Sequence, residues 1–232
     1  MTNYLLEHPH QLVSLTFFSE RYGSAKSSIS EDLAIIKETF EQRQIGTLQT
    51  VPGAAGGVRF HVKVSDEEAR SFIKELCELI ASPERLLPGG YLYMTDILGD
   101  PTIVQRAGRL FASAFADTKI DVVMTVATKG IPLAYAVANY LNVPVVIVRR
   151  DSKVTEGSTV SINYVSGSAK RIQTMLLSKR SLEEGSRVLI VDDFMKAGGT
   201  VNGIKEFEVV LENGKEVSRK LISEAGKNCW KN

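Results

Sequence analysis

The chain has 232 residues, 44% of them hydrophobic, with 28 lysines and arginines against 27 acids for a formal net charge of +1. That length suits one large domain or two modest ones, and the near-neutral balance supplies no global field for nucleic acid or an anionic membrane. Apolar runs stop far short of the ~20 residues of a membrane span, MTNYLLEHPHQL lacks the features of a signal peptide, and Cys77 and Cys229 have no disulfide-framework or zinc spacing, so a cytoplasmic protein without membrane association is expected.

Leu15, Phe18 and Tyr22 keep helical spacing until GSAKSS interrupts it. Ile29, Leu33, Ile36 and Phe40 then form one apolar stripe on a second helix, whose start is expected at the capping-box pair Ser28 and Glu31. Two short helices about a tight Gly/Ser turn predict a helix-turn-helix. Residues 47–51 and 58–64 are extended segments flanking PGAAGG, a hairpin tip. Residues 1–64 are thus expected to form an α+β winged helix. SDEEARSFIKELCELIA follows as a capped amphipathic helix with Ala69, Phe72, Ile73, Leu76 and Ile80 on one face, a linker spanning residues 65–82.

From residue 83 to 204 the pattern alternates between helices and buried strands. A helix over residues 101–116 precedes the strand DVVMTVA, IPLAYAVANYL is a helix and VPVVIVR a strand. The polar excursion RDSKVTEGSTVSINYVSGSAKRIQTMLLSKR carries two strands of period two, and SRVLIVDD returns to the sheet. Near-continuous Val/Ile runs predict a parallel sheet covered on both faces.

The stretch VLIVDDFMKAGGT, residues 188–200, carries the chemistry. In open parallel sheets ligands lie beyond the carboxyl ends of the strands. A glycine-containing loop entering a helix offers backbone N–H groups to phosphate. Two carboxylates just ahead of it suit neighbouring sugar hydroxyls, which describes a ribose 5-phosphate site. The G-x-x-x-x-G-K-[ST] and G-x-G-x-x-G patterns are absent. Residues for nucleophilic catalysis are not grouped, His8 and His10 read as loop histidines, and His61 as structural.

VLIVDDFMKAGGT resembles the phosphoribosyl-pyrophosphate (PRPP) signature of type I phosphoribosyltransferases. VATKGIPLA resembles their pyrophosphate loop, and RRDSKVTEGSTVSINYVSGSAKRIQ the flexible loop and hairpin that close over PRPP. With a winged helix ahead of them, residues 1–204 resemble the purine operon repressors of Gram-positive bacteria. The resemblance implies that Asp192 and Asp193 hold the ribose hydroxyls. It implies that Phe194, Met195, Lys196, Ala197, Gly198, Gly199 and Thr200 wrap the 5-phosphate, and that Thr128, Lys129 and Gly130 face the pyrophosphate. Lys153 and Arg149 lie on the excursion, where a solvated face is the alternative. Tyr91 and Tyr93 either stack beside the ligand or pack under a loop.

The same resemblance implies a homodimer that binds double-stranded DNA at purine-gene promoters. PRPP, with Mg²⁺ at its pyrophosphate, acts as inducer, and a guanine-nucleotide alarmone competes for the loop. No other cofactor and no catalytic residue is expected. Lys26, Ser27, Ser28 and Ser30 at the second helix, and Arg59 beside the wing tip, are the DNA-contact candidates. The other reading of the site is a purine phosphoribosyltransferase, but a winged helix is of no use to such an enzyme. Relative to the family, a basic segment ahead of Met1 is expected to be missing, and residues 205–232 to form a divergent tail without the last sheet strand.

Overall fold

A computed structural model describes residues 1–53, 55–151, 157–165 and 172–194. The first unit runs α1 (Thr2–Glu7), β1 (Leu12–Val13), α2 (Leu15–Tyr22), α3 (Lys26–Gln42), β2 (Gly46–Val51) and β3 (Gly57–Val62). β3 lies between β1 and β2 in an antiparallel sheet. Alternation along β3 turns Val58, Phe60 and Val62 to one side, where they join Leu5, Phe18, Ile29, Leu33, Phe40 and Leu48 in a single core. The apolar stripe of the second helix is therefore its buried face, and the winged helix is present with its hairpin tip where the glycines predicted it.

α2 ends at Gly23 in the left-handed region, φ 64, which glycine adopts without a Cβ penalty. The turn is tied by the Ser19 hydroxyl, which donates to the Ser24 carbonyl at 2.7 Å. The expected capping box is not formed. The backbone is already extended at Ala25, so α3 begins at Lys26, with Ala25 as an N-cap lacking any side-chain bond. Ser28 falls inside the first turn, too late to cap it.

The linker is α4 (Asp66–Ile80), capped by Ser65, whose hydroxyl accepts the Glu68 N–H at 3.2 Å. Of its apolar face only Phe72 is buried, beneath the Arg106 guanidinium at 4.3 Å from the ring, while Ile73 stays exposed. A short hairpin, β4 (Leu86–Leu87) and β5 (Tyr91–Leu92), and α5 (Thr95–Gly99) lead to α6 (Pro101–Ala114). Asp100 caps α6 by accepting from the N–H groups of Thr102 and Ile103.

The second unit then alternates: β6 (Val122–Val126), α7 (Ile131–Leu141), β7 (Val145–Val148), the hairpin β8 (Thr159–Val165) and β9 (Ile172–Ser178), and β10 (Val188–Ile190). The parallel sheet has the order β10-β6-β7. Every residue of β6 is buried. Met124 and Val126 pack with Ile162 and Met175 of the hairpin, whereas Val123, Leu189 and Val191 pack against α7. Coverage of both faces is the reason these strands read as unbroken apolar runs. The expectations for Lys153, for Met195, Lys196, Ala197, Gly198, Gly199 and Thr200, and for the tail at 205–232 fall outside the described residues.

Candidate functional site

The two aspartates leave β10 where the sheet register puts them beside the end of β6. Ile190 pairs with Met124, and the Val191 N–H donates to the Met124 carbonyl at 2.9 Å. The start of β10 is locked to the start of β6 by a fork. Arg187 Nε and Nη2 donate to the two carboxylate oxygens of Asp121, each at 2.7 Å, and the Arg187 N–H donates to Oδ2 at 2.8 Å. This pair holds the Asp121 carboxyl well down, at about 2.

Asp192 thereby meets Gly130, which caps α7. A Cβ on Gly130 would run into Thr125 Oγ1 and stand 3.1 Å from Asp192 Oδ1. Its φ is an ordinary −69, so glycine is required here by close approach and not by backbone conformation. Thr128 and Lys129 stand exposed beside it, between β6 and α7. Thr125 is fully buried, and its hydroxyl finds no hydrogen-bond partner. Asp192 at the end of β10 and the loop before α7 are thus brought together.

The Asp193 N–H donates to Asp192 Oδ1 at 3.0 Å. Burial, then the hydrogen bond shared with the Asp193 carboxyl and its negative charge, push Asp192 up to about 7. Arg150 pulls in the opposite direction. The sequence reading missed Arg150 and named Arg149 in its place. Arg149 exchanges two backbone hydrogen bonds with Leu176 of β9, and Arg150, the next residue, carries the charge felt at Asp192. That shift by one position is invisible in sequence, because it depends on where β7 meets the hairpin. Phe194 is 54% exposed beyond the pair. Tyr91 is 72% exposed on the separate β4–β5 hairpin, with its ring beside Gly89. Among the described residues no cluster of three or more His, Cys, Asp or Glu is placed to hold a metal ion by itself.

In the winged helix, Lys26, Ser27, Ser28 and Ser30 are all exposed on the opening turns of α3. Arg59 lies in β3 shortly after the wing tip, past Gly57 and Val58. It sits on the central strand, opposite Leu12 and Gln49, with its Nε buried and unpartnered. Period-two alternation places it on the same face as His61, which meets His10 edge-on at 4.6 Å between ring centroids. Burial, then the charge of His61 and of Arg59, lowers His10 to about 4, and Asp117 in the turn after α6 opposes the shift. The sheet face that carries Arg59 and His61 is thus the one on which Asp117 of the second unit acts. His8 stacks on Tyr4 at 4.1 Å, and its Nδ1 lies 2.9 Å from the Tyr4 carbonyl.

Residues 1–62 match the family of bacterial purine repressor N-terminal domains, and residues 94–217 the phosphoribosyl transferase domain family. The chain is 65% identical over 234 residues to the purine biosynthesis transcriptional repressor of Bacillus subtilis strain 168, covering 97% of this chain and 82% of that protein. It is 51% identical over 214 residues to the purine biosynthesis transcriptional activator of Lactococcus lactis subsp. lactis strain IL1403, covering 90% and 79%. In fold it is similar to the adenine phosphoribosyltransferase of Saccharomyces cerevisiae, with a TM-score of 0.53 at 25% identity, covering 62% of this chain and 83% of that one. No helix among the described residues is long and apolar enough to cross a membrane. A winged helix joined to a phosphoribosyltransferase-type α/β unit, matched over nearly its whole length by such a repressor, places this chain in the bacterial purine repressor family.

Proposed function

We propose that this chain is a DNA-binding repressor of purine biosynthesis genes that senses PRPP as its inducer and does not catalyse transfer. The observation that carries the reading is the union of the two parts. A winged helix exposing Lys26, Ser27, Ser28 and Ser30 is joined, through the shared packing of Tyr140, to the unit that carries Asp192 and Asp193. The names of its relatives support purine genes as the target, and the higher identity to the repressor than to the activator favours repression.

At the site, the two carboxylates would accept from the ribose diol. The loop of Thr128, Lys129 and Gly130 would face the pyrophosphate at the N-terminus of α7, where helix dipole and free N–H groups favour anions. Phe194 and the loop of Met195, Lys196, Ala197, Gly198, Gly199 and Thr200 would take the 5-phosphate. Mg²⁺ would enter with the pyrophosphate and neutralise it. Any ligand with a comparable phosphate arrangement, a guanine-nucleotide alarmone included, would compete. A cytoplasmic homodimer suits a regulator acting on promoter DNA.

The test is a gel-shift titration on purine-gene promoter DNA with and without PRPP and Mg²⁺. PRPP should release the wild-type protein and leave an Asp192→Ala/Asp193→Ala variant bound. Equal PRPP affinity of that variant by calorimetry would overturn the site. The second reading, a transferase, is favoured by the phosphoribosyl transferase domain match. Nucleotide formed from PRPP, Mg²⁺ and any purine base would establish it; none is expected.

A further inference from the structure

Arg109 bridges the two units at several points. Arg109, on α6, donates from Nη1 to Glu68 Oε1 of the linker helix at 2.5 Å and from Nη2 to the Lys63 carbonyl, just past β3, at 2.9 Å. The same Nη2 donates to the carbonyl of Gln44, in the turn after α3. One side chain, 23% exposed, thus holds the end of the DNA-facing helix, the end of the wing and the linker. Charge-assisted bonds from a rigid planar donor are stronger and more directional than neutral ones. A fourth tie runs from the Val64 N–H to Ser113 Oγ at 2.9 Å, on the same helix.

The neighbouring helix connects this junction to the ligand site. Gly108 packs against α7 so closely that an added Cβ would stand 2.6 Å from Ala136 Cβ. At one end α7 begins on Gly130, against Asp192. Near its other end Tyr140 packs against both cores, that of the winged helix and that of the α/β unit. From Gly130 to Tyr140 the helix rises about 15 Å at about 1.5 Å per residue. Between the units lies a cleft of about 450 Å³, lined in part by Leu6, Phe60, Val62, Arg109 and Tyr140. Packed helices move as bodies and do not deform continuously.

We infer that Arg109 is the positioning residue that fixes the winged helix on α6 and α7, so that occupation of the Asp192 site is felt at α3. The coupling part of this inference rests on the PRPP reading above; the docking part does not. Two measurements on full-length Arg109→Ala and Arg109→Lys, beside Glu68→Gln as a milder lesion, test it. The first is ligand-free hydrogen exchange at the amides of residues 44–46 and 62–64. Arg109→Ala should raise exchange there at least tenfold, with β6 amides unchanged. Unchanged exchange at the junction would overturn the docking role. The second is the ratio of DNA dissociation constants with and without PRPP, with PRPP affinity measured by calorimetry. Arg109→Ala should bind PRPP within about twofold of wild type while the ratio falls towards one, with Arg109→Lys and Glu68→Gln intermediate. A full wild-type ratio in Arg109→Ala would overturn the coupling. A wild-type protein whose DNA affinity ignores PRPP would overturn the coupling and the PRPP reading together, while the exchange result would still decide the docking role.

Discussion

Gly130→Ala probes the closest approach in the candidate site. The backbone at Gly130 has a φ of −69 that alanine accepts freely, so any cost comes from the added methyl alone. That methyl would overlap Thr125 Oγ1 and stand 3.1 Å from Asp192 Oδ1. The overlapped atom is on a fully buried strand residue, so it has little freedom to retreat. Inserting one carbon into such packing costs about 1–3 kcal/mol. Thr125→Ala removes the obstructing hydroxyl and its methyl, and loses about 1 kcal/mol of packing. The loss is partly offset because that hydroxyl has no hydrogen-bond partner to forfeit. The double variant should therefore recover most of the Gly130→Ala cost, with a coupling of about 1 kcal/mol or more. Chemical denaturation of the four proteins measures this cycle, and calorimetric PRPP binding follows the site itself. Additive costs, or a Gly130→Ala protein as stable as wild type, would refute the close approach of Gly130 to Thr125.

Lys26→Ala should weaken promoter binding and reduce the log–log salt slope by about one, whereas Arg59→Ala, on the sheet face shared with His61, should leave that slope unchanged; a slope reduced equally in both variants would place Arg59 on the DNA surface. Because Asp192 titrates at about 7 and its ionised form is the better diol acceptor, PRPP affinity should rise from pH 6 to 8 by calorimetry, and Asp192→Asn should flatten the profile. The stability linkage of Asp192 has the opposite sign. Its folded pKa is raised, so the folded state binds the proton more tightly and this group stabilises the empty protein as pH falls from about 7 towards 4. Asp121 behaves in the reverse way. Its folded pKa is held at about 2, so its contribution is present above about 4 and lost as pH falls towards 2. Because both side chains are partly exposed, solvent screens the pair, and Asp121→Asn should lower the denaturant midpoint only slightly.

Periodicity and local chemistry determined most of the elements. Ile29, Leu33 and Phe40 lie on the buried face that their spacing announced, α7 has the bounds read from IPLAYAVANYL, and the glycines of PGAAGG turn the wing. The placing of two aspartates just past the end of β10 was likewise legible, because strand and charge signals stand in order along the chain. Contacts between segments distant in sequence were not. The capping box at Ser28 failed because the backbone is already extended at Ala25 and α3 opens at Lys26, and which face of the sheet lies near Asp117 of the second unit is decided by packing. Arg150 acts on Asp192 only through the meeting of β7 with the hairpin. Arg109 had no sequence signal at all, since its acceptors are a carboxylate 41 residues away and carbonyls 46 and 65 residues away. Local pattern governs φ, ψ and burial one element at a time. The junction between the units, and the shared environment that raises Asp192, exist only once those elements have been packed together.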